Sequence, residues 1–281
     1  MNLPPELIAR AHKIKLVSHR MSAALQGGTS KSTKHGNGFS FDQLRDYDLG
    51  DDIRFIDWKA SARTDSMLVK QFYEEKIKQV LLITDLSASS KFGSQESLRD
   101  KIIKLSGGLI ALATGYGKDL LGLISVGQST LIRPMKSGLS HAQHCIEDLM
   151  EHQAGGIFND ITQVVQQVTR GNTSLIILIS DMLVPDIERI LTPLAFKHDV
   201  VLIRCQDEIE SNVDLPTGLT VVDPETGMTA EICSSKHQLQ LHKLLDEIYA
   251  ANEKMLQAHR IKCITIPLSN TAIDQLILAL S

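Results

Sequence analysis

A doubly wound α/β fold with a mostly parallel central sheet is predicted by three features of this 281-residue sequence. Short, nearly all-apolar runs such as Gln79 to Thr84 and Ser174 to Ser180 have the composition of strands buried on both faces of a sheet. Segments with helical spacing of apolar residues separate such runs, so strand and helix alternate repeatedly. Two of the runs end directly on an aspartate, Asp85 and Asp181, at the place where open α/β sheets hold their ligands.

The elements follow in order. Pro4 to Gln26 reads as an amphipathic helix, with Leu7, Ile8, Ala11, Ile14, Leu16, Val17, Met21 and Leu25 near helical spacing. Gly27 to Gly38 offers almost nothing to bury and reads as a mobile loop, so residues 1–38 form an N-terminal helix and flexible loop. Residues 39–75 are dense in charges and aromatics, include the sole tryptophan, Trp58, and close on a strand-like stretch from Met67 to Tyr73. This segment is expected to pack on the main domain.

Residues 76–281 make up that domain. The strand Gln79 to Thr84 is followed by a helix from Glu96 to Tyr116, strands Leu120 to Ser125 and Ser129 to Ile132, and helices His141 to His152 and Ile161 to Arg170. After the strand Ser174 to Ser180 come a helix from Pro185 to His198, its proline suited to a first turn, and a strand from Asp199 to Arg204. A hairpin from Leu219 to Cys233 turns at Asp223-Pro224-Glu225-Thr226-Gly227. A long helix from Lys236 to His259, a strand from Lys262 to Ile266 and a helix from Thr271 to Leu280 complete the chain. It has no internal repeat.

Composition narrows the function. With 29 basic and 33 acidic residues the formal charge is −4, which gives no electrostatic footprint of a nucleic-acid binder. No apolar run approaches the roughly 18 residues that a membrane span needs. The N-terminus lacks the layout of a secretory signal, so a cytoplasmic protein is expected. Cys145, Cys205, Cys233 and Cys263 lie far apart and read as reduced thiols, not as a disulfide frame or zinc knuckle.

Chemistry concentrates at Asp85-Leu86-Ser87-Ala88-Ser89. A carboxylate followed at i+2 and i+4 by hydroxyls lets one tight loop present three hard oxygens to a small cation. In a doubly wound sheet the first and fourth strands commonly lie side by side, so Asp181 would converge on the same ion. The plain alternative is a polar turn capping the helix that begins near Glu96. Position after a buried strand, and a partner in Asp181, favour the metal.

Asp85, Ser87, Ser89 and Asp181 resemble the metal-ion-dependent adhesion site of von Willebrand factor A domains. The resemblance implies Mg2+ or Mn2+ held by the serines and, directly or through water, by the aspartates, with one position open to a partner's carboxylate. It also implies a threonine ligand from a loop that corresponds here to Gly155-Gly156-Ile157-Phe158-Asn159-Asp160-Ile161, placing Asn159 at the threonine position. An asparagine carbonyl can ligate a hard cation.

Upstream, the block from Arg45 to Arg63, with Asp51-Asp52-Ile53-Arg54-Phe55-Ile56-Asp57-Trp58-Lys59 at its centre, is similar to the signature of the DUF58 family, where it precedes a von Willebrand factor A-like domain. The Asp223-Pro224-Glu225 turn and the final strand and helix share the resemblance, which runs from about His35 to the end. Leu49 stands where proline is common and Ser40 where an acidic residue is common. The resemblance implies an adaptor without catalysis of its own, acting beside a MoxR-type AAA+ ATPase in the assembly, activation or metallation of client proteins.

Physically, the block has two readings. Arg45, Arg54 and Arg63, alternating with Asp51, Asp52 and Asp57, form either a paired network that docks the segment or a surface for a partner. On the second reading Arg45, Arg54, Asp57, Trp58 and Arg63 touch an ATPase or a client presenting an acidic side chain. Weaker signals are a phosphate-loop echo at Gly28-Thr29-Ser30-Lys31-Ser32, a nuclease-like Asp57-Trp58-Lys59, and a helical face with His141, His144 and Cys145. The competing function is a metal-dependent hydrolase using Asp85 and Asp181, which would need a base that the loop does not supply.

Overall fold

The computed structural model describes residues 40–64, 66–73, 77–91, 98–158, 161–184, 187–207, 210, 219–222, 228–232 and 234–280. The predicted helix Pro4 to Gln26 and the loop Gly27 to Gly38 lie outside the described residues. The described residues fall into two compact units, a first that ends at Ile77 and a second that starts at Lys78.

In the first unit β1 (Ser40–Asp46) pairs antiparallel with β2 (Leu68–Tyr73), with a register shift between Phe41 and Gln43. Between them lie a 3-10 turn, Ile53–Phe55, and a short helix α1, Trp58–Thr64. Asp52 opens the turn by accepting from the Arg54 N–H at 3.0 Å. Asp57 caps α1, its Oδ1 accepting from the N–H groups of Lys59 at 3.1 Å and Ala60 at 3.0 Å. Ile56 and Val69 are buried and bridge one another.

The second unit is built on a six-stranded sheet. Its strands in chain order are β3 (Gln79–Asp85), β4 (Leu120–Val126), β5 (Thr130–Ser137), β6 (Leu175–Ser180), β7 (Asp199–Gln206) and β10 (Lys262–Pro267), and across the sheet they run β10-β7-β6-β3-β4-β5. All neighbours are parallel except β4 and β5. The apolar runs of β3, β4, β6 and β7 are buried almost without interruption, because helices cover both faces. Helices α2 (Leu98–Tyr116), α3 (Leu139–Glu151) and α7 (Ala272–Leu280) pack with Val80, Leu82, Leu121, Leu123 and Ile179. Helices α4 (Thr162–Thr169), α5 (Ile187–Lys197) and α6 (Ser235–Ala258) pack on the opposite face with Leu81, Ile83, Ile124 and Leu178. Successive residues of β3 thus divide between the two cores, as the two-residue period of a strand requires.

The doubly wound, mostly parallel sheet predicted from the sequence is the one observed. Strand β5 is longer than the predicted Ser129 to Ile132, and it runs antiparallel because only residues 127–129 connect it to β4. Its alternate residues face solvent and it carries Pro134, which an edge strand tolerates. The hairpin is present as β8 (Leu219–Val222) and β9 (Thr229–Ile232), with its Asp223 to Gly227 turn outside the described residues. Among the described residues no helix is long and apolar enough to cross a membrane.

Strand order fixes the position of the site. Chain connections leave β3 and β6 in opposite directions along the sheet, and these two strands are paired in parallel, with Thr84 opposite Ile179. Asp85 and Asp181 therefore emerge together at the carboxyl ends of neighbouring strands, at the switch point. Helix α2 is drawn tightly over this point. At Gly107 a Cβ would lie 2.8 Å from Leu149 Cδ2 and 3.3 Å from Thr84 Cγ2, so any side chain there would push on both.

Candidate metal centre

Asp85 ends β3 and is buried, and each of its oxygens is engaged. Oδ1 accepts from the Ser87 N–H at 3.0 Å and the Ser87 hydroxyl at 2.6 Å, and Oδ2 accepts from the Ser180 hydroxyl at 2.8 Å. Ser180 in turn accepts from the Met182 N–H at 3.0 Å. A 3-10 turn, Ala88–Lys91, follows, held by the Ser90 hydroxyl donating to the Ser87 carbonyl at 2.7 Å. These bonds set the Ser87 and Ser89 hydroxyl oxygens 3.1 Å apart.

A glycine turn braces the loop from outside. Gly155 and Gly156 both have positive φ, +148° and +73°, and exchange backbone bonds with the loop: Gly155 N–H to the Leu86 carbonyl at 2.8 Å, and Ala88 N–H to the Gly156 carbonyl at 2.9 Å. The stretch expected to supply the threonine-like ligand thus begins against the Asp-x-Ser-x-Ser loop. Asn159 itself lies outside the described residues.

Asp181 is buried, and its Oδ1 accepts from the Leu183 N–H at 3.0 Å. Its Oδ2 accepts from Arg99 Nη1 at 3.1 Å, and the same nitrogen donates to the Ser89 carbonyl at 3.3 Å. Arg99 Nη2 binds Glu210, whose other oxygen accepts from the Tyr249 hydroxyl of α6 at 2.8 Å. Arg99, Glu210, Ser180 and Tyr249 were not singled out by the motif. An arginine in the first turn of a helix, facing the positive end of the dipole, is the one local sign that it needs buried carboxylates.

Charge is out of balance here. Asp85, Asp181 and Glu210 bring three carboxylates to one guanidinium, an excess of two negative charges if all are ionised. Burial, followed by the charge of Asp181, pushes the Asp85 carboxyl well above the usual carboxylate range. Burial also raises Glu210, against the pull of Arg99.

The donor set suits a small hard cation. Mg2+ holds oxygens at about 2.0–2.1 Å in an octahedron, so adjacent ligand oxygens sit roughly 3 Å apart. The Ser87 and Ser89 hydroxyls have that spacing, and a Ser87 oxygen bound to metal can keep donating its proton to Asp85. Among the described residues no three His, Cys, Asp or Glu side chains gather as a ligand group. Ser87, Ser89, Asp85 and Asp181 would hold the ion, and the ion would supply a point of attachment for a carboxylate.

The other predicted residues divide by environment. Arg45 makes a two-point pair with the buried carboxylate of Asp51, at 2.7 and 2.6 Å. Asp57 is occupied as the α1 cap and pairs with Lys70 at 3.3 Å. Arg54, Trp58 and Arg63 are exposed. His141 is within hydrogen-bonding distance of the Leu121 carbonyl at 3.0 Å and lies 3.6 Å from Cys145, while His144 points to solvent, so that face belongs to packing. Cys145, Cys205 and Cys263 are free thiols.

Fold and loop define a doubly wound α/β domain with an Asp-x-Ser-x-Ser loop at its switch point. The family model described as Protein of unknown function DUF58 matches residues 43–250, and the chain belongs to that family. It is 27% identical over 235 residues to the uncharacterized protein Rv1480 of Mycobacterium tuberculosis, covering 81% of this chain and 74% of the relative. A shorter match, 30% identical over 106 residues, covers 38% of this chain and 25% of the uncharacterized protein YeaD of Bacillus subtilis. Similar solved structures include the VWA domain of SpRpn10, with 13% identity, a TM-score of 0.42, and coverage of 73% of this chain and 96% of that one. The conserved hypothetical protein BatB from Bacteroides thetaiotaomicron has 14% identity, a TM-score of 0.38, and coverage of 72% and 96%.

Proposed function

We propose that this protein is a non-enzymatic, metal-dependent adaptor that captures an acidic side chain of a partner on Mg2+ or Mn2+ held by Asp85, Ser87, Ser89 and Asp181. The observation that carries this reading is the pair of serine hydroxyls 3.1 Å apart beside the buried carboxyl groups of Asp85 and Asp181. A cation held by few protein oxygens keeps exchangeable waters that a carboxylate can replace. Without it, that carboxylate would meet only the buried carboxyl groups of Asp85 and Asp181, which offer it no attraction. Family membership and the resemblance of the signature block support a MoxR-type AAA+ ATPase, or its client, as the partner.

Thermal unfolding with and without Mg2+ or Mn2+ tests the site. A ligand that binds only the folded state, at about 100 times its dissociation constant, stabilises by roughly 2.7 kcal/mol. Wild type should gain Tm and Asp85→Ala should not; an equal gain in both would place the ion elsewhere. The partner is tested by pull-down with a MoxR-type ATPase in chelator, where retention of full binding would end the metal-bridged mechanism.

A further inference from the structure

Arg99 sits in the first turn of α2 with its side chain fully buried between Asp181 and Glu210. A guanidinium is costly there, both because it leaves water and because the helix N-terminus is itself partly positive. It is held by acceptors from three separate segments: Asp181 after β6, Glu210 beyond β7, and the Ser89 carbonyl in the Asp-x-Ser-x-Ser loop. Its Nε–H has no hydrogen-bond partner among the described residues. Glu210 carries the contact onward, accepting from the Asp207 N–H at 3.2 Å and from Tyr249 of α6, whose ring lies 5.1 Å from the Arg204 guanidinium.

We propose that Arg99 determines the affinity of the metal centre by acting as a tethered cation that competes with the ion for Asp181. This rests on the metal reading above and deepens it. Arg99 neutralises Asp181, whose Oδ2 accepts from the guanidinium while its Oδ1 accepts from the Leu183 N–H. A divalent ion drawing on Asp181 meets the repulsion of that guanidinium across a dry interior. Glu210 opposes the competition by holding the other nitrogen, so cation binding moves Arg99 toward Glu210. Because Glu210 also accepts from Tyr249, occupancy of the centre is passed to the long helix α6.

Substitutions on the two sides of Arg99 therefore act with opposite sign. Arg99→Met removes the competitor. Glu210→Gln leaves the guanidinium to Asp181 alone and removes one negative charge, while the amide still accepts from Tyr249. A purely structural role would weaken metal binding in both variants or in neither.

The experiment is calorimetric titration of the full chain with MnCl2 at fixed pH, paired with hydrogen exchange over α6. Arg99→Met should tighten the Mn2+ dissociation constant by about tenfold or more, and Glu210→Gln should weaken it by about threefold or more, as neighbouring charges couple. Mn2+ should change exchange near Tyr249 in wild type but not in Arg99→Met. If Arg99→Met does not fold, Arg99→Gln, which removes the charge but keeps an N–H donor for Asp181, takes its place and should likewise tighten binding. Unchanged or weaker binding in Arg99→Met, or unchanged or tighter binding in Glu210→Gln, overturns the competition while the metal centre stands. Absence of Mn2+ binding in every protein overturns both.

Discussion

Arg99 and Arg54 each hold carboxylates, yet they sit in opposite physical settings. Arg54 pairs with Asp52 two residues away at 2.5 Å and leaves 82% of its side chain exposed, so water screens the pair and it does little beyond closing a turn. Arg99 is fully buried, and its partners Asp181 and Glu210 are 82 and 111 residues distant in sequence. Losing one partner there strands a charge in the core. The same pairing of residue types thus makes a local turn in the first unit and a tertiary fastening in the second. Separation and burial decide which, not residue identity.

The sharpest way to break this contrast is to truncate both arginines. Arg99→Met should cost about 3–5 kcal/mol, the usual loss when a buried pair is broken from one side. Arg54→Met should leave the urea midpoint unchanged. Similar midpoints for the two variants would mean that the Asp181 and Glu210 contacts contribute no more than a surface pair.

How much of this could be read from the sequence follows the same division. Strands β3, β6 and β7 were legible because burial on both faces demands uninterrupted apolar runs, and Gln79–Asp85 and Leu175–Ser180 satisfy that demand. Edge strand β5 runs past the predicted Ser129 to Ile132 because one of its faces is solvated, so Arg133, Pro134 and Lys136 interrupt the apolar pattern without ending the strand. Asp85, Ser87 and Ser89 were legible because their geometry is local, set by bonds between residues two apart. Asp181 was found by combining a buried strand with sheet topology. Arg99 and Glu210 were not found, since no pattern within either segment shows that residues 111 apart will meet.

In the first unit the contrast can be sharpened by partner binding. Trp58 is 64% exposed and lies next to Asp57 at the start of α1, with Arg54 on the preceding turn. Exposed aromatics and arginines dominate binding energy when an interface forms over them. Trp58→Ala and Arg54→Ala should each reduce association with a MoxR-type ATPase in surface plasmon resonance while leaving Tm unchanged. Loss of stability without loss of binding would show that the block is scaffold.

The smallest effect isolates the cap at Asp57. The Ala60 N–H, ahead of the Lys70 and Lys59 contacts, holds this carboxyl below its ordinary value of 3.8. A depressed folded-state pKa contributes stability that is fully present above the unfolded value and is lost as pH falls through the folded one. Acid below about pH 4 should therefore loosen the start of α1. The Lys59 and Ala60 amide proton shifts report this directly, since both groups donate to Asp57 Oδ1. Their common midpoint should fall below 3.8. Asp57→Asn should abolish the titration yet keep α1 formed at neutral pH, because a carboxamide oxygen still accepts from the helix N-terminus. Asp57→Ala should fray the helix at every pH. A midpoint at or above the ordinary carboxylate value would mean that Asp57 is not spent as a cap, and would return it to the residues available for a partner.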